Sequence, residues 1–205
     1  RGKVLKPLAR IACFLFFLGS TSIAPSFELR VMKSPQSSTI DSKTGIYYIS
    51  NMDGGPRRRD GHAFISKVRL DGKILDLHFI NSGKRGVILN APQGLTLNGK
   101  DLYVVDITRV LRFDKNTGKV IDIIDLSALG AKLLSDSVMD DKGKLYISDR
   151  LGNSIYMIDP ENRLRASLFF KAKELKQPNG LLYDSRFKRL IITSWETGHL
   201  LALNP

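Results

Sequence analysis

The 205 residues, with 42% hydrophobic and 25% charged side chains, 17 glycines and 8 prolines, have the make-up of a folding globular chain and exclude a disordered or collagen-like one. That length suits one domain or two. Thirty-two basic against twenty acidic residues give a formal charge of +12, which raises nucleic acid or an anionic surface as a partner.

Residues 1–26 read as a secretory signal peptide. Arg1, Lys3, Lys6 and Arg10 precede the apolar run Ile11–Leu18, and Ala24-Pro25-Ser26 offers a small-x-small cleavage site. The run is far shorter than the roughly 20 apolar residues a bilayer span needs, so no stable membrane insertion is expected after cleavage. An uncleaved anchor or a buried helix is the competing reading. Cleavage near Phe27 removes four positive charges and no negative ones, leaving +8. It also removes Cys13, the single cysteine, and with it any disulfide or thiolate metal ligand. The expected location is secreted or periplasmic. RNA binding would rest on the residual charge and an arginine run alone, and export argues against it, so no nucleic-acid partner is expected. Residue 1 is Arg and not Met, which points to a longer parent chain.

From Phe27 to Pro205 the chain reads as a partial β-propeller. The alternating stretch Phe27–Met32 suits an outer strand that completes the last blade and closes the ring, a closure expected to be absent from the chain as far as Pro205. Unit one then offers a strand from Gln36 to a turn residue at Asp41, a second at Tyr47–Asn51, a third at Ile65–Val68 and a fourth at Ile74–Leu77. Unit two repeats this at Gln93 to Asn98, Leu102–Asp106, Val110–Phe113 and Val120–Ile124. Unit three follows at Asp136 to Asp141, Leu145–Asp149, Ile155–Ile158 and Leu164–Leu168. Unit four runs from Asn179 to Asp184, then Leu190–Ser194 and Leu200–Leu203, and stops after its third strand.

The unit starts lie 57, 43 and 43 residues apart. Asn or Asp ends every first strand, where a side chain able to bond its own backbone and tolerate left-handed geometry favours a turn. The strand positions are rich in β-branched and aromatic residues. Four short antiparallel strands recurring every 40 to 45 residues or so mark a propeller blade. Helical repeats need i, i+3, i+4 apolar spacing, which is missing here, and an unrelated β-sandwich would not repeat its turn chemistry at a fixed period. The fold class is therefore all-β, with about four blades present. Wedge-shaped blades need neighbours, so further blades are expected beyond Pro205.

The unit starts Pro35-Gln36-Ser37, Ala91-Pro92-Gln93-Gly94, Leu134-Ser135-Asp136-Ser137 and Gln177-Pro178-Asn179-Gly180, with Leu145-Tyr146-Ile147-Ser148-Asp149 and Gly152-Asn153-Ser154-Ile155-Tyr156, resemble one superfamily. It is that of senescence marker protein, gluconolactonase and luciferin-regenerating enzyme, with the neighbouring NHL-repeat propellers. The resemblance covers Phe27 to Pro205 and implies a six-bladed ring. It also implies a divalent metal in the central channel, most often calcium, held by a Glu of blade one, an Asn of blade four and an Asp of blade five, with an Asn of blade three on the substrate. Asn179 matches the blade-four ligand. Gln36 stands in place of the Glu, supplying an oxygen without the charge that sets affinity for a hard cation. Ser135 occupies the blade-three position with Asp136 beside it, and the blade-five Asp, the expected general base, would lie beyond Pro205.

The first strands line the channel of such a ring, so Gln36, Gln93, Asp136 and Asn179 are expected to converge there as a ligand site. Structural roles compete at each: a turn residue at Asn179, a strand-entry carboxylate at Asp136, packing at the two glutamines. The extra length of unit one falls largely in Met52–His62, where Arg57, Arg58 and Arg59 would steer an anionic ligand if the loop caps the channel; a solvated loop is the plain alternative. Trp195 either faces the channel or packs in the core. His62, His78 and His199 lack metal-ligand spacing, and no nucleophile elbow, P-loop or dinucleotide turn occurs. The functional expectation is an exported, gluconolactonase-like propeller that binds a small polar metabolite such as a sugar lactone and, with a divalent metal, hydrolyses it. A non-catalytic scaffold that binds protein or glycan is the alternative.

Overall fold

The computed structural model describes residues 27–84 and 86–205; the signal-peptide reading of 1–26 lies outside the described residues. The chain folds into four successive antiparallel meanders. Blade one contains β1 (Pro35–Asp41), β2 (Ile46–Asn51), β3 (Phe64–Arg69) and β4 (Ile74–Asn81). Blade two contains β5 (Pro92–Asn98), β6 (Asp101–Asp106), β7 (Arg109–Asp114) and β8 (Val120–Asp125). Blade three contains β9 (Leu134–Met139), β10 (Leu145–Asp149), β11 (Ser154–Asp159) and β12 (Arg165–Lys171). Blade four has three strands, β13 (Pro178–Asp184), β14 (Arg189–Ser194) and β15 (Leu200–Leu203). Together they form a β-propeller architecture in which the first strand of each blade is innermost.

Asp-based turns set the hairpins. Asp41, Asp71, Asp114, Asp140 and Asp159 each accept, through Oδ1, the backbone N–H two residues on. This is the local bonding for which turns select Asp.

Apolar wedges between blades hold the sheets together. Tyr48, Ile65 and Ile80 of blade one pack on Leu95, Leu102, Val104, Leu111 and Phe113 of blade two. Tyr103, Val105 and Val110 meet Leu145, Ile147 and Tyr156 across the next interface, and Tyr146 and Ile155 meet Leu190 and Ile192 across the third. Burial of each such side chain contributes about 1.5–3 kcal/mol, so these wedges are the main cohesive force. Polar bridges at the first interface reinforce them: the Tyr48 hydroxyl donates to the Lys115 carbonyl at 2.9 Å, and Lys115 Nζ lies 2.6 Å from Asp41 Oδ2.

Phe27–Met32, expected to complete a last blade beyond Pro205, is not paired with any of the four described blades, and one strand boundary needs correction. Phe27, Leu29 and Met32 instead border a cavity of about 360 Å³ against Ser38 and Ile49 of blade one, with Phe27 lying on Gly72. The fourth strand of unit three begins at Arg165 and not at Leu164, because Arg163 and Leu164 adopt left-handed φ values of 50° and 57° in the preceding turn.

Candidate functional site

Every inner strand is irregular where the repeat motif begins. The register shifts between Pro35 and Ser37 in β1, between Pro92 and Leu95 in β5, opposite Ile147 to Asp149 in β9, and between Pro178 and Leu181 in β13. A bulge bends the strand and re-aims the side chains at it. The residues so placed are Gln36, Gln93-Gly94, Ser135-Asp136 and Asn179-Gly180.

Hydroxyls of the second strands fasten these bulges to the next blade. Ser50 Oγ accepts from Ser37 N at 3.0 Å and donates to the Gln93 carbonyl at 2.9 Å. Ser148 Oγ accepts from Asp136 N at 3.0 Å and donates to the Asn179 carbonyl at 2.6 Å. Blade two has Val105 at the equivalent place. There Thr96 Oγ1 reaches Ser137 instead, 2.8 Å from its carbonyl oxygen. The last residue of each second strand ties down the entry to its own inner strand. Asn51 accepts from Lys33 N, Asp106 from Asn90 N and Ala91 N, and Asp149 from Lys132 N and Leu133 N, while Ser194 Oγ donates to the Lys176 carbonyl. Asp106 and Asp149 are buried carboxylates committed to backbone donors, a role the sequence reading did not assign them.

The bulges surround a cavity of about 150 Å³ lined by Gln36, Ser37, Gly94, Ser135, Asp136, Asn179 and Gly180. Ser135 Oγ lies 2.5 Å from Asn179 Oδ1, joining blades three and four. With Oδ1 accepting that hydroxyl, the Asn179 amide nitrogen is left as a donor. Asp136 Oδ1 accepts from Ser137 N and Oδ2 from Leu181 N, each at 2.9 Å. Burial raises the Asp136 pKa above the ordinary carboxylate value, against the pull of those two N–H groups. Gly94 must be glycine: a Cβ there would sit 2.7 Å from Asp136 Cα and Oδ1.

Four of the six residues expected at the site therefore meet: Gln36, Ser135, Asp136 and Asn179. Gln93 does not line the cavity. Its side chain is buried and its amide nitrogen points to Met52 Sδ, 3.2 Å away, because the long loop of blade one supplies that sulfur. Arg58 does not reach the channel cavity either. It is ion-paired with Asp60 in its own loop and lines a separate cavity with Arg57 and Arg150. Ser37, Gly94 and Gly180 line the channel cavity without having been expected there, and their adjacency to the repeat starts is the pattern that marks them.

As a cation site the donor set is incomplete. Calcium takes six to eight oxygens, commonly several carboxylates. Here the cavity offers one carboxylate and two carboxamides, and three of those oxygens already accept hydrogen bonds. Among the described residues no three His, Cys, Asp or Glu side chains come together as metal ligands.

No family model matches the chain, and no curated protein matches it by sequence. Solved structures do match its fold. A chain of the nidogen/laminin complex aligns with a TM-score of 0.66 at 20% identity, covering 84% of this chain and 61% of that one. A gluconolactonase from Xanthomonas campestris aligns with a TM-score of 0.61 at 18% identity, over 89% and 61% of the two chains. A luciferin-regenerating enzyme aligns with a TM-score of 0.62 at 16% identity, over 83% and 61%. The chain thus spans 61% of the length of each of these propellers. At such identities the shared property is the fold.

Proposed function

We propose that the central cavity binds a small polar metabolite of the sugar-lactone kind. The observation that carries this reading is the convergence of Gln36, Ser135, Asp136 and Asn179 from three blades onto one cavity. Convergent polar groups in a concave, pre-formed setting are what recognition of a compact polyhydroxylated molecule requires. The Asn179 amide nitrogen donates to a ligand oxygen. Asp136 accepts from ligand hydroxyls through its remaining lone pairs. As the one carboxylate lining the cavity among the described residues, it also carries any proton transfer there. A calcium-dependent hydrolysis would need acidic donors besides these, so binding is the activity proposed for the described blades.

Thermal unfolding in the presence of D-glucono-1,5-lactone tests this. We expect a stabilisation that saturates at millimolar ligand, exceeds that given by D-gluconate, the lactone's hydrolysis product, and falls to the gluconate level in Asn179→Ala. A shift beyond the gluconate level that persists in the variant, or none beyond it in the parent, overturns the proposal. Calcium run in parallel separates the readings further: saturable stabilisation by calcium, lost in Asn179→Ala, would restore a metal-dependent lactonase. A protein-binding scaffold is the second reading, favoured by Gln36 in place of an acid, and it requires no response to lactone or calcium.

A further inference from the structure

We propose that the rim of the channel carries a separate oxyanion-binding site made by Arg57, Arg58 and Arg150 beside Trp195. A cavity of about 410 Å³ is lined by Gly55, Pro56, Arg57, Arg58, Leu133, Arg150 and Leu151. It brings together the long loop of blade one and the β10–β11 loop of blade three, which the sequence separates by some ninety residues. Both loops open on the face where the inner strands begin. In blades one, three and four the residue after the second strand bonds back to the residue ahead of the inner strand: Met52 N to Ser34 O at 3.3 Å, Arg150 N to Leu133 O at 2.9 Å, and Trp195 N to Gln177 O at 3.0 Å.

Three guanidinium groups around one cavity repel one another unless an anion balances them. Arg58 has its own carboxylate, Asp60. Among the described residues neither Arg57 nor Arg150 has one, and Arg150 Nε is buried with no hydrogen-bond partner. A buried donor without a partner is uncommon and calls for a reason. The guanidinium also lies 5.6 Å over the ring of Trp195, within cation–π distance. A rigid planar fork of donors suits a carboxylate or phosphoryl group, which it can engage at two oxygens.

Beneath the charges the cavity is apolar. Leu133 is buried with Met52, Ala91 and Ile107, and Pro56 and Leu151 form the walls. The ligand class is therefore a compact organic molecule bearing a carboxylate or a phosphate. Ser135 of the channel cavity lies two residues beyond Leu133 in the same strand region, so the two sites are neighbours, yet they share no lining residue.

Trp195 is the single tryptophan of the chain and 66% exposed, which makes its fluorescence a local reporter. The full chain is titrated with inorganic phosphate, D-gluconate and D-sorbitol at constant ionic strength. A saturable change with phosphate or gluconate, at an apparent Kd of about 1 mM or below, and none with sorbitol is expected. Response to phosphate alone assigns a phosphoryl ligand, and response to gluconate alone a carboxylate. Arg150→Gln is expected to weaken binding about tenfold, checked by calorimetric titration because the substitution also changes the setting of Trp195, and Arg57→Gln to weaken it several-fold. Asn179→Ala should titrate like the parent, which separates this site from the channel. No saturable response to either anion, or unchanged affinity in both arginine variants, overturns the proposal.

Discussion

Ser148→Ala tests whether hydroxyl clips between blades hold the site together. Ser148 is fully buried, and its oxygen makes two bonds at once, taking the Asp136 N–H at 3.0 Å and giving its proton to the Asn179 carbonyl at 2.6 Å. Alanine fits the space, so no clash arises and the loss is one of hydrogen bonding. Each neutral bond is worth about 1 kcal/mol net, and a buried N–H left without a partner costs about 1–3 kcal/mol. The expected destabilisation is therefore about 2–4 kcal/mol, or roughly 4–16 °C in Tm for a domain of this size. Urea and thermal unfolding followed by circular dichroism read it directly. Thr193→Ala is the control, since Thr193 Oγ1 accepts the Gly180 N–H at 2.9 Å at an exposed position where water replaces the bond, and it should cost under about 1 kcal/mol. Equal effects of the two substitutions would refute the clip as a source of stability. Lactone affinity should fall with Ser148→Ala as well, because both backbone groups it holds belong to cavity-lining residues.

Gly94→Ala should destabilise by about 1–3 kcal/mol or more, since the added Cβ meets the Asp136 backbone at 2.7 Å and cannot be relieved by turning a side chain; an unchanged urea midpoint would show that the inner strands yield. Lys115→Met addresses the bridge between blades one and two. The hydrogen bond from Lys115 holds the Asp41 pKa below its ordinary value, so the bridge contributes stability above the unfolded carboxylate pKa of about 3.9 and loses it as the pH falls through the lower folded value. The parent should exceed Lys115→Met in stability at pH 7, and the difference should close in acid; a difference independent of pH would refute the assignment. Asp136 titrates in both proteins, with the opposite sign because its pKa is raised, and drops out of the comparison.

The blades were legible because their strands are local. Leu145–Asp149 has the bounds expected of it, since a β-branched and aromatic run ended by Asp specifies a hairpin without help from distant residues. Phe27–Met32 shows the limit of that logic. Its alternation states which side chains seek burial, and Phe27 does find Gly72, but whether the backbone pairs depends on a partner edge, which the expectation itself placed beyond Pro205. Gln93 shows another limit: its repeat position directed it to the channel, while Met52, forty-one residues earlier, drew its side chain elsewhere. The role of Arg150 was beyond reach for the same reason, since its meeting with Arg57 and Trp195 depends on loop paths across the face of the propeller.

The carboxylates show how equivalent chemistry comes to different uses in one repeat. Asp106 and Asp149, each closing a second strand, are 1% and 0% exposed and are met by several donors: Asn90 N, Ala91 N and Arg109 in one case, Lys132 N, Leu133 N and Gly152 N in the other. They are buried and largely committed to these donors, and their removal would loosen the entry to the inner strand. Asp136 differs in two respects: it borders the cavity, and each of its oxygens takes one backbone N–H, although an ionised carboxylate offers about four acceptor positions. The backbone bonds fix the carboxylate across blades three and four, at the border of the cavity. Under the proposed ligand-binding reading, positioning and recognition would reside in this one side chain, and the bulge at the start of β9 would set both.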